Sequence, residues 1–463
     1  MKIKKLLALS LAAAMVISLL AGCGGTSKSN DSGEKETLKT EQGAEKESSE
    51  KEESTERQKV VISTYLSDPS QVEVRAKYLD TPLREAFPNV DIEFKMYNDR
   101  QSLQVEIAGG GGPDIIDLDG PTSVAEYARA ERVMDLEKYS AQYGWKDVFY
   151  EWAYNSSLFK GKLYSLPTSF EGMVMYYNMD VLNENGWTIP KTLTELETLM
   201  KNMQEKDIIP LSFGNSNYQG AVDWLYSTFL SCNAGPDNLK KALYGDIKFD
   251  DPVMVEAMNQ MVTWWQAGYI GDKASQTITD QDMVAFFAEG RAGMMINGTW
   301  ATSQLLTVYP DCNWQADMFP EFREGVGQIL PFATGGSYAI NANSQNPDLA
   351  AEILNYIFTS KDRHYKSILE ANYQPYPLAD FDLSKLQGMN ERVLFMYEVL
   401  DKAQADNAIG FCAWTFFPTD TRVYMNENTD ALFLGSLTVE DYLATAQKSV
   451  DAAIADGSTP VLP

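Results

Sequence analysis

The chain has 463 residues and a formal net charge of −27, with 38 Lys and Arg against 65 Asp and Glu. This acidic balance leaves no basic stripe, so nucleic acid and anionic membrane surfaces are poor partners. The single histidine, His364, leaves His-based triads and zinc ligand sets almost nothing to work with. The length is sufficient for two domains with sizeable cores.

The N-terminus has the pattern of a secretory signal peptide. Three lysines in the first five residues precede an apolar run over residues 6–21, which falls short of the roughly 20 apolar residues that a membrane span needs. The run ends in "LAGC", which resembles the lipobox of bacterial lipoproteins. We therefore predict a lipoprotein signal peptide over residues 1–22 and a membrane-anchoring lipid on Cys23, with a transmembrane anchor as the alternative.

A polar segment follows over residues 23–58. It contains no aromatic residue and is dominated by Ser, Glu, Lys, Thr and Gly, as in "KESSEKEESTERQK". Such a segment cannot bury enough apolar surface to offset its ordering entropy, so we predict a disordered tether, with a solvated charged helix as the alternative. The folded body then starts near Lys59.

Apolar strands alternate with helices along the body. The predicted strands are "KVVISTYL" (59–66), "DIEFKMY" (91–97), "DIIDLD" (114–119), "GMVMYYNMD" (172–180) and "PLSF" (210–213). Predicted helices lie between them, over "VRAKYLDTPLREAF" (74–87) and "TLTELETLMKNMQEK" (192–206), with a short one before residue 114 and another around Trp224. This alternation indicates βαβ units and an α/β fold whose sheet is covered on both faces.

Ligands of open α/β sheets bind beyond the carboxyl ends of the strands. The loops at those ends are residues 67–70, 119–122, 215–220 and 297–300. These four loops are the first places to look for a binding site.

Signals for catalysis are missing from the sequence. It has no G-x-S-x-G elbow and no G-x-x-x-x-G-K-[ST] loop, and its glycine run "AGGGGPD" precedes a strand, where a dinucleotide loop would follow one. We predict no catalytic residue, no cofactor and no metal. Cys232, Cys312 and Cys412 are an odd, widely spaced set, which argues against a disulfide framework and a zinc site. We interpret them as mostly buried thiols and leave one long-range disulfide open.

Five stretches resemble the extracellular solute-binding proteins of ABC importers, specifically the maltose-binding-protein-like sugar binders. In chain order they are "GGPDIIDLDG", "GKLYSLPTSFEGMVMYYNMDVLNENGWTIPKTLTELE", "AFFAEGRAGMMINGTW", "GGSYAINANSQNPDLAAEILNYIFTS" and "LGSLTVEDYLATAQKSV". They occur in the family's order over residues 60–450, which covers almost the whole body.

This resemblance implies a two-lobed periplasmic-binding-protein-like fold of the class II type. Two α/β lobes joined by crossing hinge strands would close over a ligand in the cleft between them. The implied N-lobe comprises residues 59–170 and 300–358, and the C-lobe residues 171–299 and 359–463. The crossings would lie near residues 168–171, near Trp300 and near Phe358.

Trp300 is the leading candidate for ligand binding. It follows a buried strand and an Asn-Gly turn in "MMINGTW", at the position where the sugar-binding relatives place a stacking tryptophan. A flat aromatic ring covers the apolar face of a sugar, while carboxylates accept hydrogen bonds from its hydroxyls. Asp119, at a strand end, and Glu171, at the first crossing, are the candidate carboxylates. The alternatives are a packing role for Trp300, a helix N-cap for Asp119 and a solvated hinge position for Glu171.

Six further residues are candidate ligand contacts. The alternatives are turn formation for Asp68 and core packing for Tyr65 and Trp224. The six are Tyr65, Asp68, Trp224, Ser337, Tyr338 and Trp414. The adjacent Trp264 and Trp265 are interpreted as packing.

The sequence thus predicts a non-catalytic, lipid-anchored, extracytoplasmic capture protein, acting as a monomer. It would bind a small-molecule solute, a neutral oligosaccharide, by lobe closure and deliver it to the permease subunits of an ABC importer. The alternatives are a binding protein for a non-sugar solute, a binding protein for a sensory receptor, and an enzyme that uses two carboxylates on a carbohydrate.

Overall fold

A computed structural model describes residues 57–463, apart from 66–68, 98–99, 217–220, 272–276 and 373–375. The strands of these described ranges are short and lie mostly in the interior. In chain order they are β1 (Gln58–Tyr65), β2 (Val90–Tyr97), β3 (Ile115–Asp119), β4 (Leu158–Phe159), β5 (Lys162–Leu163), β6 (Leu166–Pro167), β7 (Phe170–Asn178), β8 (Ile209–Ser212), β9 (Ala292–Gly298), β10 (Trp314–Asp317), β11 (Leu330–Thr334), β12 (Gly336–Ile340) and β13 (Ile409–Phe411).

Helices cover the strands. Short turns connect some of these helices: π-helical turns over Ala76–Asp80 and Leu230–Ala234 and a 3-10 turn over Leu383–Leu386. The α-helices are α1 (Pro69–Arg75), α2 (Thr81–Ala86), α3 (Arg100–Ala108), α4 (Gly120–Arg129), α5 (Glu137–Tyr143), α6 (Trp145–Val148), α7 (Glu151–Ser156), α8 (Met179–Glu184), α9 (Leu193–Gln204), α10 (Ala221–Phe229), α11 (Pro236–Tyr244), α12 (Pro252–Gln266), α13 (Asp280–Ala288), α14 (Ala301–Val308), α15 (Pro347–Thr359), α16 (Lys361–Ala371), α17 (Glu391–Ala405), α18 (Ala413–Phe416), α19 (Thr419–Phe433) and α20 (Val439–Asp456).

Local sequence signals determine several helix ends. Thr192 and Thr438 accept the first backbone hydrogen bonds of α9 and α20 through their hydroxyls. Thr279 and Asp282 form a reciprocal capping box at the start of α13. Gly457 ends α20 in the left-handed conformation that favours glycine.

One sheet forms the core of what we call the first lobe. Its strand order is β2-β1-β3-β12-β6, in which β1 pairs in parallel with β2 and β3, while β12 runs antiparallel to β3 and β6. Buried apolar side chains pack on both faces of this sheet. The predicted βαβ arrangement of the N-terminal part is confirmed.

A second sheet forms the core of the second lobe. Its order is β13-β11-β7-β9-β8, and β10 pairs with β7 outside this path. The central strand β7 is buried almost throughout, which matches its continuous apolar sequence. The two-lobed α/β fold predicted from the sequence is therefore confirmed.

Two of the crossings between the lobes are adjacent. The chain passes from β6 to β7 through residues 168–169 and returns from β11 to β12 through Gly335. Thr168 donates its backbone N–H to the Gly336 carbonyl at 2.9 Å, and Gly335 donates to the Ser169 carbonyl at 3.0 Å. These two hydrogen bonds make the crossings a paired hinge.

The strand pairing divides the chain differently from the predicted lobe boundaries. The first crossing lies within residues 168–171 as predicted, but β10 and β11 pair with β7, so residues 300–334 belong to the second lobe. Tyr376 and Leu378 are still in the first-lobe core, so the next crossing follows Leu378 and does not lie near Phe358. Apolar periodicity predicts that a segment is a strand, but it does not identify the sheet that the strand joins.

Predictions about the first 56 residues fall outside the described residues. The signal peptide, the lipid on Cys23 and the tether therefore remain predictions. Across the part of the chain that the structure describes, none of the helices is both long and apolar enough to cross a bilayer. Cys232 and Cys412 are buried and Cys312 is partly buried, and all three are free thiols.

Candidate functional site

Three of the predicted ligand-binding tryptophans lie together in the second lobe. The Trp300 ring centroid is 5.4 Å from that of Trp224 and 5.9 Å from that of Trp414. We call these three residues the aromatic cluster. Trp224 on α10 is 5% exposed and Trp414 on α18 is 6% exposed, whereas Trp300, just before α14, is only partly buried. Within the cluster, Trp300 is therefore the ring that keeps an accessible surface.

The turn between β9 and α14 has a sequence that holds Trp300 in place. A Cβ atom at Gly298 would lie 1.9 Å from the six-membered ring of Trp300, so only glycine permits this contact. The preceding Asn297 accepts a hydrogen bond from the Gly298 N–H at 2.8 Å through its side chain. The "INGTW" sequence therefore brings the tryptophan ring directly against its own turn.

Glu171 lies at the hinge beside the aromatic cluster. It pairs with Ala333 of the returning strand, and its carboxylate accepts hydrogen bonds from Ser169 Oγ at 3.1 Å and from the Trp414 side chain. A Cβ atom at Gly335 would lie 2.0 Å from Glu171 Oε1, so the glycine of the second crossing makes room for the carboxylate.

The environment of Glu171 makes its charge sensitive to pH near neutrality. Burial raises the pKa of this carboxyl from 4.5 to about 7, and the hydrogen bonds from Ser169 and Trp414 oppose the rise without cancelling it. Protonated and ionised forms are therefore both populated near pH 7. Each form offers a different hydrogen-bonding partner to a hydroxylated ligand.

Asp119 occupies the corresponding place in the first lobe. It ends β3, pairs with Gly336 of the hinge, and directly precedes α4. Its side chain makes no capping hydrogen bond to α4, although it stands at the N-cap position. The N-cap alternative is therefore not realised in this structure. The hinge brings Asp119 and Glu171 to neighbouring strand ends in the two lobes.

The structure does not group all of the predicted residues. Ser337 is completely buried and its hydroxyl makes no hydrogen bond. Tyr338 is 8% exposed and packs in the first-lobe core with its ring 6.4 Å from Phe358, so the structure places it in the core. Tyr65 lies on β1, but its side chain is outside the described parts of the structure, as is the whole of Asp68.

Trp264 and Trp265 pack away from the aromatic cluster, as the sequence predicted. Trp264 is 1% exposed and donates to Glu197 at 2.9 Å, while Trp265 stacks on Phe433 at a centroid distance of 4.1 Å. The only histidine, His364, is also buried; its Nε2 accepts from the Tyr376 N–H at 2.8 Å, and burial lowers its pKa to about 3. These side chains stabilise the lobes.

Sequence reasoning missed several polar residues around the site. Ser169 is one of them, although its spacing of two residues from Glu171 places both on the same face of an extended strand. Thr122 of α4 is another; its hydroxyl donates to the Trp414 carbonyl at 2.6 Å. Nothing in the local sequence of Thr122 indicates a partner so distant in the chain.

A solvent-open depression in the described surface lies elsewhere. It measures about 440 Å³ and is open to solvent. Its lining includes Gln58, Lys138, Tyr139, Tyr143 and Asp348, all in the first lobe, and none of the predicted ligand residues. At the aromatic cluster, α4 packs against α18, and two of the three tryptophans are buried. Separation of the lobes would therefore expose the side of Trp414 that faces α4.

Comparisons with known proteins agree with this architecture. Residues 70–363 match the profile of the family described as bacterial extracellular solute-binding protein. The chain is 22% identical over 268 residues to the maltodextrin-binding protein MdxE of Bacillus subtilis, covering 57% of this chain and 61% of that protein. It is 24% identical over 296 residues to the maltotriose-binding protein of Pyrococcus abyssi, covering 62% and 60%. The matched part thus spans about 60% of the length of these curated relatives.

Solved structures match over a larger share of the chain. A chitin oligosaccharide binding protein superposes with a TM-score of 0.72 at 22% identity, covering 86% of this chain and 100% of that one. Maltose-bound T. maritima MalE3 superposes with a TM-score of 0.67 at 21% identity, covering 85% and 99%. At these identities the likeness establishes the two-lobed fold.

Proposed function

Because the chain belongs to the bacterial extracellular solute-binding protein family, we propose that it captures a carbohydrate between its lobes for an ABC importer. Membership of an extracellular family places it outside the cytoplasm, and the family and the relatives named above are binding proteins. The proposed ligand is a neutral oligosaccharide. Delivery to the permease subunits, anchoring through lipid on Cys23 and action as a monomer are further parts of this proposal.

The observation that carries the proposal is the aromatic cluster with Trp300 as its accessible ring. A pyranose presents an apolar C–H face that packs on a flat aromatic surface and a rim of hydroxyls that need acceptors. Trp300 offers the surface, and Glu171 and Asp119 offer the acceptors from the two sides of the hinge. Neighbouring rings at 5.4 and 5.9 Å hold Trp300 in place, so ligand binding orders few side chains.

Capture would proceed by rotation about the paired crossings. The two backbone hydrogen bonds at Thr168 and Gly335 keep the crossings together while the lobes move. A ligand shifts this equilibrium only if it binds the closed arrangement better than the open one. Contacts from both lobes, Trp300 on one side and Asp119 on the other, provide that difference.

The same geometry supports binding without turnover. The carboxylates of Asp119 and Glu171 are the candidate pair for any acid–base chemistry, and Glu171 already accepts hydrogen bonds from Ser169 and Trp414. We infer that these carboxylates position hydroxyls. Incubation with maltotriose, chitotriose and galactooligosaccharides should therefore leave each sugar intact by chromatography.

A thermal-shift screen tests the proposal directly. Residues 57–463 would be screened with neutral oligosaccharides, monosaccharides, amino acids and short peptides. A ligand at 100 times its Kd stabilises the folded state by about 2.7 kcal/mol, which raises the melting temperature measurably. We expect a shift with one saccharide class, confirmed by calorimetry.

The matched variants are Trp300→Ala and Trp187→Ala. Trp187 is also partly buried in the second lobe but lies in the loop after α8. The saccharide-dependent shift should disappear in the first variant and persist in the second. Shifts with amino acids or peptides alone would contradict a carbohydrate ligand, and equal retention in both variants would contradict the role of Trp300.

A further inference from the structure

The two lobes contact each other along α4 of the first lobe and α18–α19 of the second. Thr122 donates its hydroxyl to the Trp414 carbonyl at 2.6 Å, and Thr419 donates to the Thr122 carbonyl at 2.9 Å. Near the end of α4, Arg129 forms an ion pair with Asp420 at 3.0 Å. We call this surface the interlobe seam. It follows α4 from its first turn to its last.

Arg422 of α19 lies buried in the seam and divides its donors between the lobes. Its Nε and Nη2 atoms contact Asp223 Oδ2, in the second lobe, at 2.9 and 2.8 Å. Its Nη1 atom lies 3.4 Å from the hydroxyls of Thr122 and Ser123, in the first lobe. Arg422 is only 6% exposed, so these contacts form away from bulk water, where hydrogen bonds are electrostatically stronger.

Other second-lobe groups hold the Asp223 end of this arrangement. Tyr226 donates to Asp223, and the same hydroxyl lies 2.8 Å from Asn426 Oδ1. Asp223 directly precedes Trp224 on α10, so the Asp223–Arg422 ion pair is adjacent in sequence to the aromatic cluster. A buried charge that loses its partner is costly, and the Asp223–Arg422 pair therefore stays together when the lobes separate. Of the Arg422 contacts described above, separation breaks those to Thr122 and Ser123.

The seam lies on the ligand side of the hinge because its elements carry site residues. Asp119 directly precedes α4, and α18 carries Trp414. Opening the lobes to expose Trp414 must therefore also separate α4 from α18 and α19. The interlobe hydrogen bonds of the seam form only when the site is closed.

We propose that Arg422 is a positioning residue whose hydrogen bonds to Thr122 and Ser123 stabilise lobe closure and couple it to the aromatic cluster. It acts through Asp223 and Trp224 and does not touch the ligand. The closed arrangement is then populated before ligand arrives, which raises affinity because less of the binding energy is used for closure. This inference rests on the proposed capture function.

The test removes the first-lobe acceptors and leaves the buried ion pair intact. Thr122→Val combined with Ser123→Ala removes both hydroxyls, and with them the bond from Thr122 to the Trp414 carbonyl, without leaving Asp223 unpaired. Arg422→Lys is a second route, because lysine keeps a charge for Asp223 but lacks the forked guanidinium that reaches both lobes. Thr429→Val is the matched control: Thr429 lies on the same helix, but its hydroxyl bonds to the Met425 carbonyl within the second lobe.

Lobe separation would be measured without ligand by double electron–electron resonance (DEER). Spin labels at the exposed Lys146 and Lys201, each replaced by cysteine, report on the first and second lobes in a Cys312→Ser background. Removing hydrogen bonds of this kind should shift the ratio of open to closed molecules about tenfold toward open. The Thr429→Val control should keep the wild-type distance distribution, even if it lowers the melting temperature.

Calorimetry with the saccharide identified by the thermal-shift screen gives the second readout. We expect about tenfold weaker binding in Thr122→Val/Ser123→Ala and Arg422→Lys, with no change in Thr429→Val. Unchanged distance distributions in both seam variants would overturn the role of Arg422. Because the distance measurement needs no ligand, that result is separable from a failure of the carbohydrate proposal.

Discussion

The two sides of the proposed binding site are built in opposite ways. The second lobe contributes three tryptophans that pack on one another and on their own lobe, with Trp300 partly accessible. The first lobe contributes polar groups, namely Asp119 and the Thr122 and Ser123 hydroxyls of α4. These groups reach the aromatic side only across the boundary between the lobes. The aromatic side is thus preorganised, whereas the polar side would act through the proposed closure.

This difference assigns separate roles to the two sides. Apolar contact area that is rigid before binding contributes affinity at low entropic cost. In the proposed function, polar groups that arrive by closure would determine which hydroxyl pattern is accepted. Substitutions on the two sides should therefore have different effects on stability, affinity and closure.

The largest expected effect is on the pH dependence of the free energy of unfolding and concerns His364. It tests whether a buried ionisable group also contributes to the stability of the first lobe. The pKa of His364 is lowered from 6.5 to about 3 by burial, so its neutral form stabilises the fold above pH 6.5. This contribution is lost as the pH falls toward 3, and amounts to roughly 5 kcal/mol over the full window. His364→Gln should flatten the pH dependence of the free energy of unfolding between pH 6.5 and 4. An unchanged slope would contradict this assignment.

Truncation of a buried ring tests the preorganised packing of the aromatic side. Trp414→Ala should lower the free energy of unfolding by about 3–5 kcal/mol, because it opens a cavity and removes the tryptophan donor from Glu171. Urea denaturation measures the loss. Trp187→Ala, at a partly buried position, should cost less. Equal losses at the two positions would show that the aromatic cluster has no special packing role.

The Glu171 carboxyl at the hinge should change the free energy of unfolding with pH in the opposite direction to His364. The pKa of Glu171 is raised from 4.5 to about 7, so its stabilising contribution is fully present below pH 4.5 and is lost as the pH rises through 7. The change is roughly 3 kcal/mol. In Glu171→Gln the free energy of unfolding should fall less between pH 4.5 and 8 than in the wild type. A steeper fall would reverse the sign argued here.

The accessible ring should matter more for affinity than for stability. Trp300→Leu keeps an apolar side chain but removes the flat surface, and we expect about 30-fold weaker saccharide binding, in the range of a binding hot spot. The melting temperature without ligand should change little. Calorimetry and thermal unfolding on the same preparations separate the two effects. A large loss of stability with unchanged affinity would identify Trp300 as a packing residue.

The smallest expected effect is on the polar side. Asp119→Asn keeps the size of the side chain and removes its charge, which should weaken saccharide binding about fivefold, as expected when a hydrogen bond to a charged group becomes a hydrogen bond to a neutral one. Loss of a negative charge at the start of α4 should lower the free energy of unfolding by about 0.3–1 kcal/mol. An affinity loss as large as that of Trp300→Leu would contradict the proposed division between the two sides.

The sequence by itself determined the features that depend on local pattern. Period and apolar content predicted β1, β2, β3 and β7 close to their observed bounds, together with the two-lobed α/β class through the family resemblance. The Asn-Gly turn at the end of β9, together with the family resemblance, made Trp300 the leading candidate for ligand binding, and this role stays a prediction. These features can be predicted because a strand is built from consecutive residues. Their alternating or continuous apolar side chains therefore show directly which of them will be buried.

The tertiary structure alone decided which distant segments meet. It assigned β10 and β11 to the second sheet, buried Tyr338 in the first-lobe core, and brought Trp224 and Trp414 beside Trp300. It also paired Arg422 with Asp223, 199 residues away. Such partners are chosen by the path of the chain through the crossings and by packing between elements. Local periodicity reports whether a residue is buried and carries no information about what it is buried against.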